Sequence, residues 1–373
     1  MSNTESPGLY IHVPFCRTKC PYCNFYSVTS LSLVADWLDS LRKEAIIYKD
    51  RFAAFDSIYI GGGTPTLLAE HELAALVDTL SRYFTFSSDT EITIEANPDD
   101  ITLEKPTLLR KIGVNRISLG VQSFNDKELQ YLRRRHSAMQ AERALERIRA
   151  SGFTNIGVDL MYGFPGQTQA GWVQSMKRAL DFKPEHISCY QMTLEEATPF
   201  GKMLAEGRIK PLGEEEERAL FLLTSRFLEK RGYIHYEISN FAREQKYKSR
   251  HNSKYWRHIP YLGLGPAAHS FLEGVRWWNM ESVERYCRAL DKGRLPVAGT
   301  ETLSQEQHLL ESLYLGFRTS HGIDLKLLNN QPHSDTILSE LQESGLIQVH
   351  GGRAMPTRDG FLVADGLPLL FAG

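Results

Sequence analysis

Three cysteines lie close together near the start of the chain, in the sequence Cys16-Arg-Thr-Lys-Cys20-Pro-Tyr-Cys23. Three thiolates on one short loop can bind a single polynuclear metal centre. A [4Fe–4S] cluster usually takes four cysteine ligands, so three would leave one iron open, as a catalytic metal requires. The alternatives are a zinc site completed by His12, or cysteines that are merely reduced and buried. Zinc sites usually pair two such motifs, and no second one lies near, so the spacing favours the cluster.

Further candidate ligand contacts lie where short apolar segments end. Gly61-Gly62-Gly63-Thr64 follows one segment, and successive glycines let a backbone approach a ligand closely. Glu95 ends another, where a carboxylate can accept hydrogen bonds from sugar hydroxyls. Gln122 and Asp159 end two more, and Arg134 lies in a run of three arginines. Taken singly, these residues are also explained by a tight turn, a strand end or a solvated face.

The elements that position these residues alternate between strand-like and helix-like segments. Strands are predicted at 9–13, 57–60, 91–95, 115–119, 154–160 and 186–192. Six strand–helix repeats with short connections imply a parallel sheet with helices packed outside it. A complete eight-repeat barrel usually needs about 250 residues, and this unit ends near residue 195. The sequence therefore predicts an α/β fold, a partial (β/α)6 barrel whose site lies at the carboxyl ends of the strands.

The pattern changes after about residue 211. A long helix is predicted from Glu214 to Lys230, and a stretch rich in aromatic residues, histidine and glycine follows at 233–278. Beyond residue 296, helices precede two strands joined at Gly351-Gly352, which is typical of a winged-helix-like module. We therefore expect a barrel core (1–210), an extension that covers the barrel (211–295) and a mostly helical C-terminal module (296–373).

The composition is that of an ordinary globular protein, with 42% hydrophobic residues, 24% charged residues and a formal net charge of −2. This balance argues against a protein that coats nucleic acid, because neutralising phosphates needs a basic excess. No apolar run reaches the length of a transmembrane helix, and the N-terminus lacks a signal-peptide pattern. The odd number of cysteines, five, does not suit a secreted disulfide framework. The expected compartment is the cytoplasm, with membrane association left open.

The cysteine motif C-x₃-C-x-aromatic-C, with Tyr22 as the aromatic residue, resembles that of the radical S-adenosylmethionine (SAM) superfamily. The resemblance implies a six-stranded partial barrel that carries a [4Fe–4S] cluster on Cys16, Cys20 and Cys23. It also implies that SAM chelates the open iron. An electron from the reduced cluster then cleaves SAM to methionine and a 5′-deoxyadenosyl radical.

Within the superfamily, the chain resembles the oxygen-independent coproporphyrinogen oxidases and their relatives. It shares a Tyr-Ile-His-Val-Pro-Phe-Cys segment, a GGxxP motif and the strand-end residues described above. The oxidases use some of these residues to hold a second SAM, and whether this chain binds one or two is left open. The resemblance implies that SAM contacts Tyr10, Tyr22, Gly62, Gly63, Thr64, Glu95, Gln122, Arg134 and Asp159.

Three departures separate the chain from the oxidases. Phe25 stands where the oxidases have a fourth cysteine, and only nine residues precede Tyr10 in place of a long extension. The chain also contains His251-Asn-Ser-Lys-Tyr255-Trp256. This H-N-x-x-Y-W motif and the C-terminal module are similar to those of the heme chaperones in the same branch. The departures argue against oxidase activity and leave open whether the chain is an enzyme.

The residue types around this motif suit heme, which offers a flat apolar face and two propionates. Basic residues at 246–257 lie beside aromatic ones. His251 is the candidate axial ligand of the iron, with Tyr255 and Trp256 as further heme contacts. A loop with a solvated basic face is the alternative that residue types alone favour. Single-stranded nucleic acid would use the same residue types, but no binding fold accompanies them.

Four other residues could contact heme, although each taken alone is more simply explained as structural: His258, His269, Cys189 and Cys287. The sequence therefore predicts a heme chaperone that carries a [4Fe–4S] cluster and SAM and delivers heme to an acceptor protein. A membrane respiratory protein is the candidate acceptor, no nucleic-acid partner is expected, and dimerisation is left open. The alternative function is that of an oxygen-independent coproporphyrinogen III oxidase, which decarboxylates propionates by a radical mechanism.

Overall fold

A computed structural model of the chain describes residues 5–52, 54–329 and 331–371. The predicted barrel wall is present, and neighbouring strands along the chain pair in parallel. The strands are β1 (Gly8–Val13), β2 (Ala54–Gly62), β3 (Thr85–Ala96), β4 (Arg116–Gln122), β5 (Ile156–Tyr162) and β6 (His186–Gln191). The connecting helices are α1 (Val34–Tyr48), α2 (Glu70–Tyr83), α3 (Lys105–Lys111), α4 (Asp126–Tyr131), α5 (Ala138–Ala150) and α6 (Gln169–Asp181).

The two faces of the barrel strands differ in polarity. On β1, Leu9, Ile11 and Val13 are fully buried in the core that includes Trp37 and other residues of α1. Their neighbours Tyr10 and His12 point to the opposite side, since successive side chains of a strand alternate. Strands of a parallel sheet covered on both sides are usually apolar throughout. Here the inner side is polar, so the barrel encloses a chamber suited to a polar ligand.

The ends of two barrel helices carry caps that their residue types favour. Ser137 Oγ accepts from the backbone N–H of Gln140 at 3.3 Å, and Gln140 Oε1 accepts from the Ser137 N–H at 2.8 Å. This reciprocal capping box begins α5, and such a cap contributes about 1 kcal/mol. Gly113, with φ of 95°, ends α3 with its N–H donating to the Arg110 carbonyl. Both caps direct the chain into the following barrel element.

The aromatic stretch at 233–278, in which no strands were predicted, forms short strands on both edges of the barrel sheet. In the described part of the chain one sheet has twelve strands, in the order β12-β11-β10-β9-β1-β2-β3-β4-β5-β6-β8-β7. The added strands are β7 (Ile234–Glu237), β8 (Asn240–Ala242), β9 (Tyr261–Leu264), β10 (His269–Leu272), β11 (Val275–Asn279) and β12 (Val297–Thr302). The helices between β6 and β12 are α7 (Pro199–Ala205), α8 (Glu214–Glu229), α9 (Arg250–Tyr255) and α10 (Val283–Asp291).

The C-terminal part has a hydrophobic core of its own, which includes Leu313, Phe317, Leu341 and Phe371. Its sheet has the order β13-β15-β14. These elements match the predicted helices followed by a small sheet, whereas the three-part division of the chain stays a prediction. The elements are α11 (Gln305–Phe317), β13 (Ile323–Asp324), α12 (Ser334–Glu343), β14 (Ile347–His350), β15 (Arg353–Pro356) and α13 (Arg358–Leu362).

Within the described ranges, none of the helices combines the length and the apolar character that a bilayer crossing requires.

Candidate metal centre and cofactor site

The three cysteines lie on the loop between β1 and α1, and the base of this loop is anchored. The Cys16 N–H donates to the Val28 carbonyl at 3.0 Å, and the Val28 N–H donates to the Pro14 carbonyl at 2.7 Å. Phe15 is fully buried, with its ring edge-on to Trp37 at 5.7 Å. The anchor holds the loop at the carboxyl end of β1, where the partial barrel predicts a site.

The thiols of the loop are partly exposed, and none of the cysteines in the described residues forms a disulfide. The Thr64 hydroxyl lies 3.5 Å from Cys16 Sγ, and Arg134 Nη1 lies 3.5 Å from Cys20 Sγ. Burial raises the pKa of Cys23, and the Cys20 and Cys16 sulfurs beside it act in the same direction. Thiolates held together in this way would repel one another, and a bound cation removes that cost.

The donor set, three cysteine thiols on one loop, is of the kind that holds an iron–sulfur cluster. In the described part of the chain no three His, Cys, Asp or Glu side chains are grouped to hold one metal ion. The assignment of Cys16, Cys20 and Cys23 as cluster ligands stays a prediction, supported by three soft donors on one anchored loop.

His12, the residue that would complete a zinc site, is engaged elsewhere. Its Nε2–H donates to the Tyr26 carbonyl at 2.9 Å, so Nδ1 accepts from the Tyr10 hydroxyl at 3.1 Å. Burial lowers the pKa of His12 to about 4, which keeps the ring neutral. Because both nitrogens are used, the zinc alternative lacks its fourth ligand.

The glycine turn after β2 packs directly on the cysteine loop. A side chain at Gly63 would place its Cβ 2.6 Å from the Phe15 carbonyl oxygen and 2.8 Å from that of Val13. The Gly63 and Thr64 N–H groups donate to those same carbonyls at 2.8 Å. Gly62 has φ of 107°, which favours glycine. These glycines therefore fix the position of the loop, a contact that requires no bound SAM.

Glu95 lies at the end of β3, opposite this turn. Its Oε1 accepts from the Tyr59 hydroxyl at 2.9 Å and its Oε2 from the Gly62 N–H at 3.1 Å. Burial raises the pKa of Glu95 to about 7 despite these two donors, and Asp159 adds to the rise. A buried carboxyl group that titrates near neutrality is typical of a functional site.

Arg134 is not the solvated arginine that a basic run suggests. Its Nη2 donates to Asn97 Oδ1 at 2.5 Å and to the Gly120 carbonyl at 2.8 Å, while Nη1 lies 3.5 Å from Tyr22 Oη. Asn97 Nδ2 in turn donates to the Thr64 hydroxyl at 3.3 Å. Asn97 was not identified from the sequence, although its place directly after β3, two residues beyond Glu95, is the signal that could have found it.

Gln122 on β4 and Asp159 on β5 are the remaining strand-end residues of the predicted SAM site. Gln122 has φ of 65°, and the register of β4 against β5 shifts between Gly120 and Gln122. A strained non-glycine residue of this kind is often found at ligand sites. Ser118 Oγ lies 3.1 and 3.0 Å from the two carboxylate oxygens of Asp159, whose pKa is raised by burial. The predicted SAM contacts from β1 to β5 therefore share one lumen, although their contact with SAM stays a prediction.

The H-N-x-x-Y-W motif begins on α9, which packs against the opposite ends of the barrel strands. His251 is fully buried, with Nε2 2.8 Å from the Tyr255 hydroxyl and Nδ1 3.4 Å from Ser57 Oγ. Burial lowers its pKa to about 3. Its ring stacks on that of Tyr59 at 5.5 Å. His251 thus joins α9 to the lumen, and binding heme iron would require the loss of one of its hydrogen bonds.

The remaining heme candidates differ in accessibility. Tyr255 and Trp256 are half-buried, whereas Cys189 and Cys287 are buried. His258 Nε2 lies 3.0 Å from Glu311 Oε2 and is held by that hydrogen bond. His269 is exposed. Each of these residues stays a candidate only, because no contact described above requires heme.

The chain was compared with known proteins. The family model described as "Radical SAM superfamily" matches residues 10–179, and that described as "HemN C-terminal domain" matches residues 303–363. The heme chaperone HemW of Bacillus subtilis is 35% identical, with 98% of each chain covered. The HemW of Mycobacterium tuberculosis is 33% identical over 96% of this chain and 93% of that relative. The solved structure of coproporphyrinogen III oxidase (HemN) from Escherichia coli, 24% identical, has a TM-score of 0.83 over 98% of this chain and 90% of that one.

Proposed function

Since the chain belongs to the HemW family of radical SAM proteins, we propose that it binds heme and transfers it to an acceptor protein. The observation that carries this proposal is the identity to heme chaperones over nearly the whole chain. The likeness to the oxidase structure concerns the fold, which both functions share. The fold therefore does not distinguish the chaperone from the oxidase, and the difference must lie in residues of the site.

The residues around the cysteine loop support a cluster and SAM as resident cofactors. Cys16, Cys20 and Cys23 would hold the cluster, with Thr64 and Arg134 donating to two of the sulfurs. When bound, the cluster supplies an electron to SAM. Glu95, once ionised, accepts hydrogen bonds from ribose hydroxyls, and Tyr59 and Gly62 orient its oxygens.

The oxidase alternative is less well supported by the cysteine loop. Phe25 occupies the position of the fourth cysteine, and 68% of its side chain is exposed beside the loop. An exposed aromatic ring is suited to contact with a flat apolar ligand, whereas it supplies no thiol. We propose that the cargo passes from the cytoplasmic side to a respiratory protein of the membrane.

One sample tests both functions. The protein is reconstituted anaerobically with iron and sulfide and then titrated with heme, and a parallel aliquot receives dithionite, SAM and coproporphyrinogen. We expect a Soret band that saturates with heme and no protoporphyrinogen. Absence of a Soret band would contradict the chaperone function. Protoporphyrinogen formation would establish the oxidase instead.

A further inference from the structure

A cavity of about 340 Å³ opens between β1, the cysteine loop, α9 and the turn that follows β9. Its volume is at the lower end of the range of roughly 300–1,000 Å³ that is typical of cofactor pockets. The cavity is open on one side, so a ligand larger than this volume can extend into solvent. Its walls are mostly aromatic, and the principal side chains are Tyr10, Phe25, Tyr26, Tyr255, Tyr261 and His269.

The cavity is lined by the half-buried tyrosine of the H-N-x-x-Y-W motif but not by the motif's histidine. Tyr255 lines the wall, and its hydroxyl is bonded to His251 behind it. His251 has no exposed surface and contacts Ser57 and Tyr59 on its other sides. A ligand in the cavity therefore meets the motif through Tyr255, while His251 positions that tyrosine.

His269 supplies an imidazole that the rest of the fold does not use. Within the described residues, no hydrogen bond to either of its ring nitrogens is present, and its ring stacks on Trp278 at 5.9 Å. Partial desolvation lowers the pKa of His269, and the nearby Arg276 acts in the same direction. A neutral, accessible imidazole held by an aromatic neighbour is a good ligand for heme iron.

The backbone holds His269 in this position. Ala267 has φ of 61°, an uncommon value for a residue with a Cβ, and its N–H donates to the Met280 carbonyl at 2.9 Å. The Asn279 N–H donates to the Ala268 carbonyl at 2.9 Å. A side chain at Gly265 would place its Cβ 2.6 Å from the His12 carbonyl oxygen, so this turn packs tightly against β1. Strain maintained by such contacts is typical of ligand sites.

From this geometry we propose that the cavity is the heme site and that His269 is the axial ligand of the iron. The macrocycle lies against Phe25 and Tyr255, with its propionates directed to the open side. The proposal rests on the proposed function, since it names the site of that same cargo. It also places heme beside the cysteine loop, because Asn24, the residue directly after Cys23, lines the cavity together with Phe25.

The test is heme titration of the full chain, followed by resonance Raman spectroscopy of the ferrous complex. The variants are His269→Ala, His269→Met and His251→Gln, and His71→Ala, an exposed histidine on α2, is the matched control. We expect an iron–imidazole mode in the wild type and in the control. His269→Ala should lose this mode and bind heme roughly 10- to 100-fold more weakly, as for loss of a metal-site residue. Added imidazole should restore the mode.

The outcomes separate this proposal from the function on which it rests. Absence of heme binding in the wild type would overturn both. Wild-type binding with the iron–imidazole mode retained in His269→Ala would overturn only the assignment of His269. If His269→Ala does not fold, His269→Met provides the same test, because a thioether ligand alters the spectrum without leaving a void. If the iron–imidazole mode is lost in folded His251→Gln but kept in both His269 variants, the iron ligand is His251 of the motif and not His269.

Discussion

The hydroxyl of Tyr59 is expected to set the pH at which the protein binds SAM. This hydroxyl donates to Glu95 at 2.9 Å, inside a buried site where the pKa of Glu95 is about 7. The substitution Tyr59→Phe removes the donor and keeps the ring, which stacks between Tyr10 and His251. The change therefore isolates one hydrogen bond to one titrating group.

The size of the effect follows from the strength of that bond. A hydrogen bond to an ionised group contributes about 1.5–3 kcal/mol, and one pKa unit corresponds to about 1.4 kcal/mol. The bond stabilises the carboxylate, so its loss raises the pKa of Glu95 by roughly 1 to 2 units. At about pH 7.5, roughly three-quarters of wild-type Glu95 is ionised, against roughly a tenth in the variant.

SAM affinity, measured by equilibrium dialysis on the reconstituted protein from about pH 6 to 9.5, reports this titration. In the proposed site ionised Glu95 would accept from the ribose hydroxyls. Affinity should therefore rise with pH, with a midpoint near 7 in the wild type and roughly 8 to 9 in the variant. The two affinities should converge at high pH. Tyr83→Phe, on the outer helix α2, is the control. Equal midpoints, or a loss of affinity that is the same at every pH, would refute the reasoning.

Three further variants test the proposed cluster ligands, a buried carboxyl group and α9. Replacing Cys16, Cys20 and Cys23 together by Ala should abolish the iron–sulfur absorbance after anaerobic reconstitution. Burial raises the pKa of Glu44 from 4.5 to about 7, so this group stabilises the fold below about pH 4.5 and loses that contribution as pH rises through 7. Glu44→Gln should flatten the decline in unfolding free energy over this window by up to about 3 kcal/mol, measured by guanidinium denaturation. Lys254→Met should lower the unfolding free energy by about 1–3 kcal/mol in the same assay, because the Nζ contacts of buried Lys254 are lost.

Each of these expectations has a control and a contrary result. Cys287→Ala, on α10, should leave the absorbance intact, and absorbance that survives the triple substitution would exclude the assigned ligands. Glu340→Gln, at an exposed residue, should not change how the unfolding free energy varies with pH. If Glu44→Gln also leaves this pH dependence as in the wild type, another group is responsible for it. Lys127→Met, on the exposed face of α4, should leave stability unchanged. A Lys254→Met protein as stable as that control would contradict a stabilising role for the Nζ contacts of Lys254.

Local pattern was enough to predict the barrel elements. The helix predicted from Glu214 to Lys230 spans Glu214–Glu229 in the structure, and the capping box that begins α5 joins Ser137 to Gln140, three residues later. Such features depend on residues within a few positions of one another. The grouping of the strand-end residues was also predictable, because the carboxyl ends of parallel strands lie at one edge and each strand contributes a side chain there. Their contact with SAM stays a prediction.

Long-range pairing could not be predicted in the same way. Lys254 looks like a solvated cation in the sequence, yet it is 1% exposed and pairs with Asp56. Arg134 likewise depends on Asn97, a partner far along the chain. The strands at 234–279 are too short to show a period of two residues. The left-handed backbone of Gln122 is another feature that residue type alone does not reveal.

The parallel pairing of β1 with β9 has a consequence for how the protein is made. Residues Gly8 to Ile11 pair with Tyr261 to Leu264, roughly 250 residues later in the chain. At synthesis rates of about 5–20 residues per second, one edge of β1 waits roughly 12–50 s for its partner. Throughout that interval the cysteine loop follows a strand with an unpaired edge, which is liable to aggregate. The ribosome therefore exposes the three thiols that are predicted to hold the cluster well before the fold that shelters them is complete.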